Sequence, residues 1–238
     1  MKITILTICP EQFNDFLNTP LISRNSEKGL LEIEICDIRD YAPGSFRKVD
    51  DSPYGGGAGM IMRCQPVLDA LADKRTADSY VIVLSPQGRR YDQKEAHRLS
   101  QMKHLIFICG HYEGMDARIY DHVDELISIG DYILCGGEMP AMIITESVMR
   151  LVDGSMKKES VLEESFEEDL LEYPQYTRPA DYKGQKVPEV LLSGDHEAIR
   201  KWRHEEAVKL TEKMRPDLLE KKRRKNVQTV KQNKTGAQ

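Results

Sequence analysis

Apolar residues along this chain come in short runs separated by amphipathic stretches. KITILTI (residues 2–8) and LLEIEIC (30–36) are rich in β-branched residues with partial alternation, which predicts two strands. Three further runs predict strands in the same way: YVIVLS at 80–85, HLIFIC at 104–109 and VDELISI at 123–129. Helical patterns fill the intervals, one bracketed by Pro10 and Gly29 and others starting near Pro66 and Asp92. Strand and helix in alternation imply an α/β fold with a mostly parallel sheet covered by helices. EMPAMIITESVMRL (138–151) then predicts a helix of roughly four turns, closed by Asp153-Gly154.

Beyond Gly154 the pattern changes. Glu163, Glu164, Glu167, Glu168 and Asp169 crowd a stretch with little apolar periodicity, followed by a segment with three prolines and several aromatics. Such chain reads as a flexible linker carrying a short helix and then as extended backbone held by contacts. Asp195 is placed to cap a final helix beginning HEAIRKWRHEEAVKL. The expected organisation is an α/β domain at 1–154, an acidic and Pro-rich linker at 155–193, and a small C-terminal helical domain with a basic tail at 194–238. No internal repeat is present.

With 238 residues and 40% apolar content, the chain can fill a core. No run of about 18 apolar residues occurs, and Met1–Pro10 has one Lys and no cleavage-site pattern, so neither membrane nor export is expected. The five cysteines, Cys9, Cys36, Cys64, Cys109 and Cys135, are widely spaced with no C-x-x-C pair, which fits reduced thiols in the cytoplasm. Cys36, Cys109 and Cys135 each end an apolar run and are expected as small buried hydrophobes. Net charge is -5, unevenly spread. From Asp195 onward there are 13 Lys or Arg and 7 Asp or Glu, a local +6, leaving -11 on residues 1–194. That asymmetry suggests a C-terminal part that meets polyanions. A solvated helix end is the other reading of its densest run, Lys221-Lys222-Arg223-Arg224-Lys225.

Three glycine-rich segments stand out at 53–60 (PYGGGAGM), 109–116 (CGHYEGMD) and 127–138 (ISIGDYILCGGE), and the last two follow predicted strands. In open α/β sheets ligands sit beyond the carboxyl ends of strands, so those two loops could wall one pocket. Phosphate loops are excluded by their residues. There is no G-x-x-x-x-G-K-[ST], and Met60, Ile61 and Met62 follow Gly57-Ala58-Gly59 where a dinucleotide fingerprint needs a third glycine. Neither G-x-S-x-G nor H-E-x-x-H occurs.

LSPQGRRYDQ (84–93), CGHYEGMDAR (109–118), SIGDYILCGGEMPAM (128–142), YTRPADYKGQKVPEVLLSGDHEAIRKWR (176–203) and VDDSPYGGGAGM (49–60) together resemble the bacterial tRNA (guanine-N1)-methyltransferase family, in collinear order over nearly the whole chain. That resemblance implies the SPOUT superfamily, with a deep trefoil knot in the α/β domain, a homodimer, and S-adenosylmethionine as methyl donor. It also implies transfer RNA as substrate rather than DNA, methylated at N1 of the guanosine immediately 3′ of the anticodon. A related enzyme acting on another RNA position, such as a ribose hydroxyl, and a non-catalytic RNA-binding protein are the competing readings.

Carried over residue by residue, the resemblance assigns the cofactor to Leu84, Ser85, Pro86 and Gln87, to Gly110, Tyr112, Glu113 and Gly114, and to Ile129, Gly130, Asp131, Tyr132, Ile133, Leu134, Gly136, Gly137 and Pro140. Main-chain groups read a neutral adenine edge, and glycines let the backbone come close. N1 of guanine carries a proton at neutral pH, so a base and a cation facing O6 are needed. Arg150 is the implied cation. The family's base is an Asp before a Ser-Phe pair; this chain has Glu164 before Ser165-Phe166, one carbon longer, with Glu163 beside it. Asp50, Tyr54, Ser165, Tyr176 and Arg178 are expected on the RNA side, where aromatic and guanidinium planes stack on splayed bases. Trp202 is expected in the core. No metal ligand is assigned, and a divalent cation stays open as an additional cofactor.

Overall fold

All five apolar runs become strands of one sheet, because β-branched side chains pack well on a pleated surface buried on both faces. The computed structural model describes residues 1–157, 161 and 163–220; the basic run at 221–225 lies outside them. Two compact units result, Met1–Lys157 and Lys158–Gln238.

In the first unit the strands are β1 (Lys2–Thr7), β2 (Glu32–Asp37), β3 (Asp50–Asp51), β4 (Ile61–Met62), β5 (Ser79–Arg90), β6 (His104–Cys109) and β7 (Glu125–Ser128). The main sheet has the order β2-β1-β6-β5-β7, and every pairing in it is parallel. β3 and β4 form a separate antiparallel pair. Helices α1 (Asn14–Leu17), α2 (Pro20–Glu27), α3 (Cys64–Lys74), α4 (Gln93–Ser100) and α5 (Glu138–Leu151) connect them. The helical stretch expected between Pro10 and Gly29 is broken, with Pro20 starting a new helix, as a residue lacking an N–H does. Asp92 caps α4 by accepting from the amides of Lys94 and Glu95.

The period-2 alternation divides the strand residues between two cores. Ile3, Ile5, Ile82, Leu84, Leu105 and Phe107 point to one face, where Ala141, Ile144, Val148 and Met149 of α5 cover them together with Phe13 and Leu99. Leu6, Val81, Val83, Ile106 and Ile108 point to the other, under Val67, Ala70 and Leu71 of α3. β6, buried along its whole length, is the centre of the sheet.

β5 runs beyond the predicted strand and carries an irregularity that matters for the site. Leu84 and Arg89 both pair with Ile127, so Ser85–Gly88 leave the ladder as a bulge. Gly88 allows this: a Cβ there would overlap the backbone of Leu126 and Ile127. The far end of β5 is braced by ions. Arg89 and Arg98 both pair with Glu95 and Glu125, and although burial pushes the Glu95 carboxyl up, the two guanidiniums hold it below its ordinary range.

In the second unit, Asp195 caps the helix α6 (His196–Met214) by accepting from the amides of Glu197 and Ala198. Thr211 on this helix accepts from the Leu171 amide at 2.9 Å and donates to the Ala207 carbonyl at 2.6 Å, fixing the 170–171 segment against α6. The Pro-rich segment is extended apart from a two-residue hairpin, Asp181–Tyr182 with Gln185–Lys186, and a short turn of 3-10 helix at Glu189–Leu192. Lys183 and Gly184 close that hairpin with positive φ, the backbone a primed turn demands. Trp202 is half-buried, not a core residue, with its ring 6.4 Å from that of Tyr176.

Candidate active site

Beyond the carboxyl ends of β5, β6 and β7 lies a cavity of about 390 Å³, within the range of about 300–1,000 Å³ usual for small-molecule sites. The β5 bulge forms one wall with Leu84, Ser85 and Pro86. The turn after β6 forms the second, Gly110 to Met115, and the long loop after β7 the third, Ser128 to Gly130 and Tyr132 to Gly137, with Pro140 of α5 behind it. Every cofactor residue expected from sequence lines this cavity except Gln87 and Asp131, both exposed. His111, Met115, Tyr120, Ile127, Ser128 and Cys135 also line it and were not anticipated. His111 and Ser128 sit inside quoted motifs, whereas Tyr120 gives no sequence signal at all.

Two observations explain the glycines of this site. The Gly137 amide donates to the Gly110 carbonyl at 2.9 Å, and a Cβ on Gly137 would lie 2.6 Å from Cys109 Cα, so only glycine permits the two loops to touch. Cys109 is fully buried there, and burial raises its thiol far above the usual range, which makes it inert packing. Cys135, at the end of the DYILC run (131–135), departs from its expectation as a small buried hydrophobe. Cys135 is exposed and Ile133 is 80% exposed, because this run follows Gly130 as a loop wall and never enters the sheet.

The Gly55–Gly59 loop is tied to the same turn. The amides of Glu113 and Asp116 donate to the Met60 and Met62 carbonyls, and the Met62 amide donates to the Gly114 carbonyl at 2.9 Å. This places Asp50, on β3, near Tyr112, whose hydroxyl is raised first by burial and then by the Asp50 charge. Tyr54 stands fully in solvent on that loop.

Arg150 lies half-buried in the last turn of α5, in the first unit. Glu164 lies in the second, where it lines a smaller cavity of about 190 Å³ with Glu163, Tyr173, Arg200, Arg203 and His204. Glu163 is engaged by the Tyr173 hydroxyl at 2.8 Å and by Arg203 at 3.3 Å. The Arg203 guanidinium also stacks 4.7 Å above the Tyr173 ring, and burial with the Glu163 bond pushes the Tyr173 hydroxyl up to about 12. The Ser165 hydroxyl accepts from the Glu172 amide at 3.0 Å, and Tyr176 and Arg178 are exposed.

Comparison with known proteins gives a consistent match. Residues 1–221 match the family described as tRNA (Guanine-1)-methyltransferase TrmD. A tRNA (guanine-N(1)-)-methyltransferase of Clostridium botulinum (strain Eklund 17B / Type B) is 50% identical over 236 residues, covering 98% of this chain and 97% of the relative. The protein of the same name from Macrococcus caseolyticus is 51% identical over 222 residues, 92% of each chain, and that from Bacillus subtilis (strain 168) 50% identical over 224 residues, again 92% of each.

Proposed function

Because the chain belongs to the tRNA (guanine-1)-methyltransferase family, we propose that it transfers a methyl group from S-adenosylmethionine to N1 of the guanosine immediately 3′ of the anticodon in transfer RNA. The observation that carries this reading is the cavity at the ends of three parallel strands, walled by the loops that hold the family resemblance. Its lining suits an adenosyl group. Leu84, Ile127, Ile133 and Leu134 supply apolar surface, turns containing Gly110, Gly136 and Gly137 bring main chain close, and Glu113 at the wall offers a carboxylate to a cationic ligand.

The sulfonium donor supplies an activated methyl group, so no covalent enzyme nucleophile is needed. With that donor held in the cavity, Glu164 would take the N1 proton of the guanine and so free the N1 electron pair for the methyl group the sulfonium supplies. Arg150 donates to O6, where negative charge develops as the proton departs. Asp50 and Ser165 shape the approach of the RNA, and Tyr54, Tyr176 and Arg178 offer planes for its bases. The C-terminal basic residues supply phosphate contacts.

Further features accompany this reading. The knotted arrangement of the superfamily belongs to this reading through the resemblance, in a domain whose main sheet has the parallel order β2-β1-β6-β5-β7. Tyr132, Ile133, Leu134, Met139 and Ile143 expose apolar surface along one short segment, which supports a homodimer formed over it. No helix among the described residues is long and apolar enough to cross a membrane, and we place the enzyme in the cytoplasm, where its substrate resides.

The test is nucleoside mass spectrometry of an unmodified tRNA transcript after incubation with the protein and S-adenosylmethionine. The expected product is 1-methylguanosine at the position after the anticodon. A ribose-methylated nucleoside would favour the competing enzyme, and absence of any methylated product would favour a non-catalytic RNA-binding protein.

A further inference from the structure

Beside the cavity, three side chains from distant parts of the chain converge. Cys9 follows β1, His111 lies in the turn after β6, and Glu138 opens α5. Cys9 Sγ is 3.8 Å from His111 Nε2, and His111 Nε2 is 3.3 Å from Glu138 Oε2. All three donor atoms lie within 4.8 Å of one another. A zinc ion bonded to sulfur at about 2.3 Å and to nitrogen and oxygen at about 2.0–2.2 Å separates its tetrahedral ligands by roughly 3.3–3.6 Å. The two observed spacings are close to those edges before any ion draws the ligands in.

The surroundings are built as a ligand shell usually is. Glu138 is 2% exposed, and a carboxylate so deeply buried needs compensation. Its second oxygen, Oε1, accepts from the Thr7 hydroxyl at 2.6 Å, and Thr7 Oγ1 in turn accepts from the Cys9 amide at 2.9 Å. One residue thus orients two of the three donors, as second-layer hydrogen bonds around metals do. Space is reserved as well, since a Cβ on Gly136 would overlap Glu138 Oε2 and come within 2.5 Å of His111 Nε2.

We infer that Cys9, His111 and Glu138 form a site for a borderline-soft divalent cation of the zinc class, with one coordination position left for water. A sulfur, nitrogen and oxygen donor set favours such an ion over magnesium or calcium, which take oxygen ligands. The ion ties the end of β1 to the turn after β6 and to the start of α5, and so braces two walls of the cavity. Its role is structural support of that cavity, separate from the chemistry assigned to Glu164 and Arg150. On binding, the Cys9 thiol loses its proton to solvent and the thiolate bonds the metal.

Cobalt(II) titration of the reduced, chelator-treated protein tests the proposal. One equivalent is expected to give the thiolate-to-cobalt charge-transfer band and the intense visible bands of tetrahedral cobalt, with release of a proton, and zinc should displace it. Cys9→Ser should lose the charge-transfer band, whereas Cys64→Ser should keep it. Thr7→Val should weaken zinc binding by about 10–100-fold, the usual effect of removing a second-layer partner. If Cys9→Ser fails to fold, the wild-type protein still decides the matter, because zinc should protect Cys9 from alkylation as read by peptide mapping. No charge-transfer band, a band that survives Cys9→Ser, or alkylation of Cys9 undiminished by zinc would each overturn the site.

Discussion

Glu164→Gln is expected to lower the rate of methyl transfer by about 10²–10⁴-fold, the range over which a positioned general base acts, while leaving tRNA affinity nearly unchanged. The amide keeps the size and much of the hydrogen-bonding shape of the carboxylate but cannot hold the N1 proton. Single-turnover rates with saturating tRNA and donor separate this from a binding defect. Glu163→Gln is the informative comparison. Its carboxylate already accepts from Tyr173 and Arg203, so its loss should disturb the second unit's packing and cost less than tenfold in rate. A larger drop for Glu163→Gln than for Glu164→Gln would move the base by one residue.

Phe107→Ala should destabilise the protein by about 3–5 kcal/mol, a large share of the roughly 5–15 kcal/mol by which domains are stable. Phe107 has no exposed surface on the central strand β6, on the face covered by α5. Truncation leaves a void among side chains that the parallel ladder on either side prevents from closing in. Urea denaturation at fixed protein concentration reports the effect as a lower midpoint. A loss under about 1 kcal/mol would mean that the α5 face of the sheet repacks freely, contrary to its tight burial.

What made this fold legible was the coincidence of period and burial. HLIFIC and YVIVLS read as strands because residues buried on both faces leave no polar gaps, and the structure puts them side by side at the centre of the sheet. The Asp195 cap was equally plain, since it precedes a helix whose first amides need an acceptor, and Asp92, near which a helix start was expected, caps α4 in the same way. The bulge at 85–88 was less visible. Pro86 and Gly88 look like the end of a strand, yet Arg89 returns to the same partner as Leu84, a pairing set by contacts distant in sequence. Cys135 misled for the opposite reason: it closes an apolar run as a buried cysteine would, but that run lines a cavity and an exposed surface.

The site shows the same division. The cavity's glycine turns were marked by their positions after predicted strands, because the geometry of open α/β sheets puts ligands there. Thr7, Cys9, His111 and Glu138 carry no shared spacing. Only the parallel register, which brings the carboxyl ends of β1 and β6 level, assembles them.

Titration calorimetry with S-adenosylhomocysteine, the demethylated product, at two temperatures tests the central claim most directly. The cavity predicts saturable uptake into a single class of sites, with the enthalpy more negative at the higher temperature as apolar lining is buried. Absence of saturable heat at both temperatures would contradict the assignment of the cavity to the methyl donor.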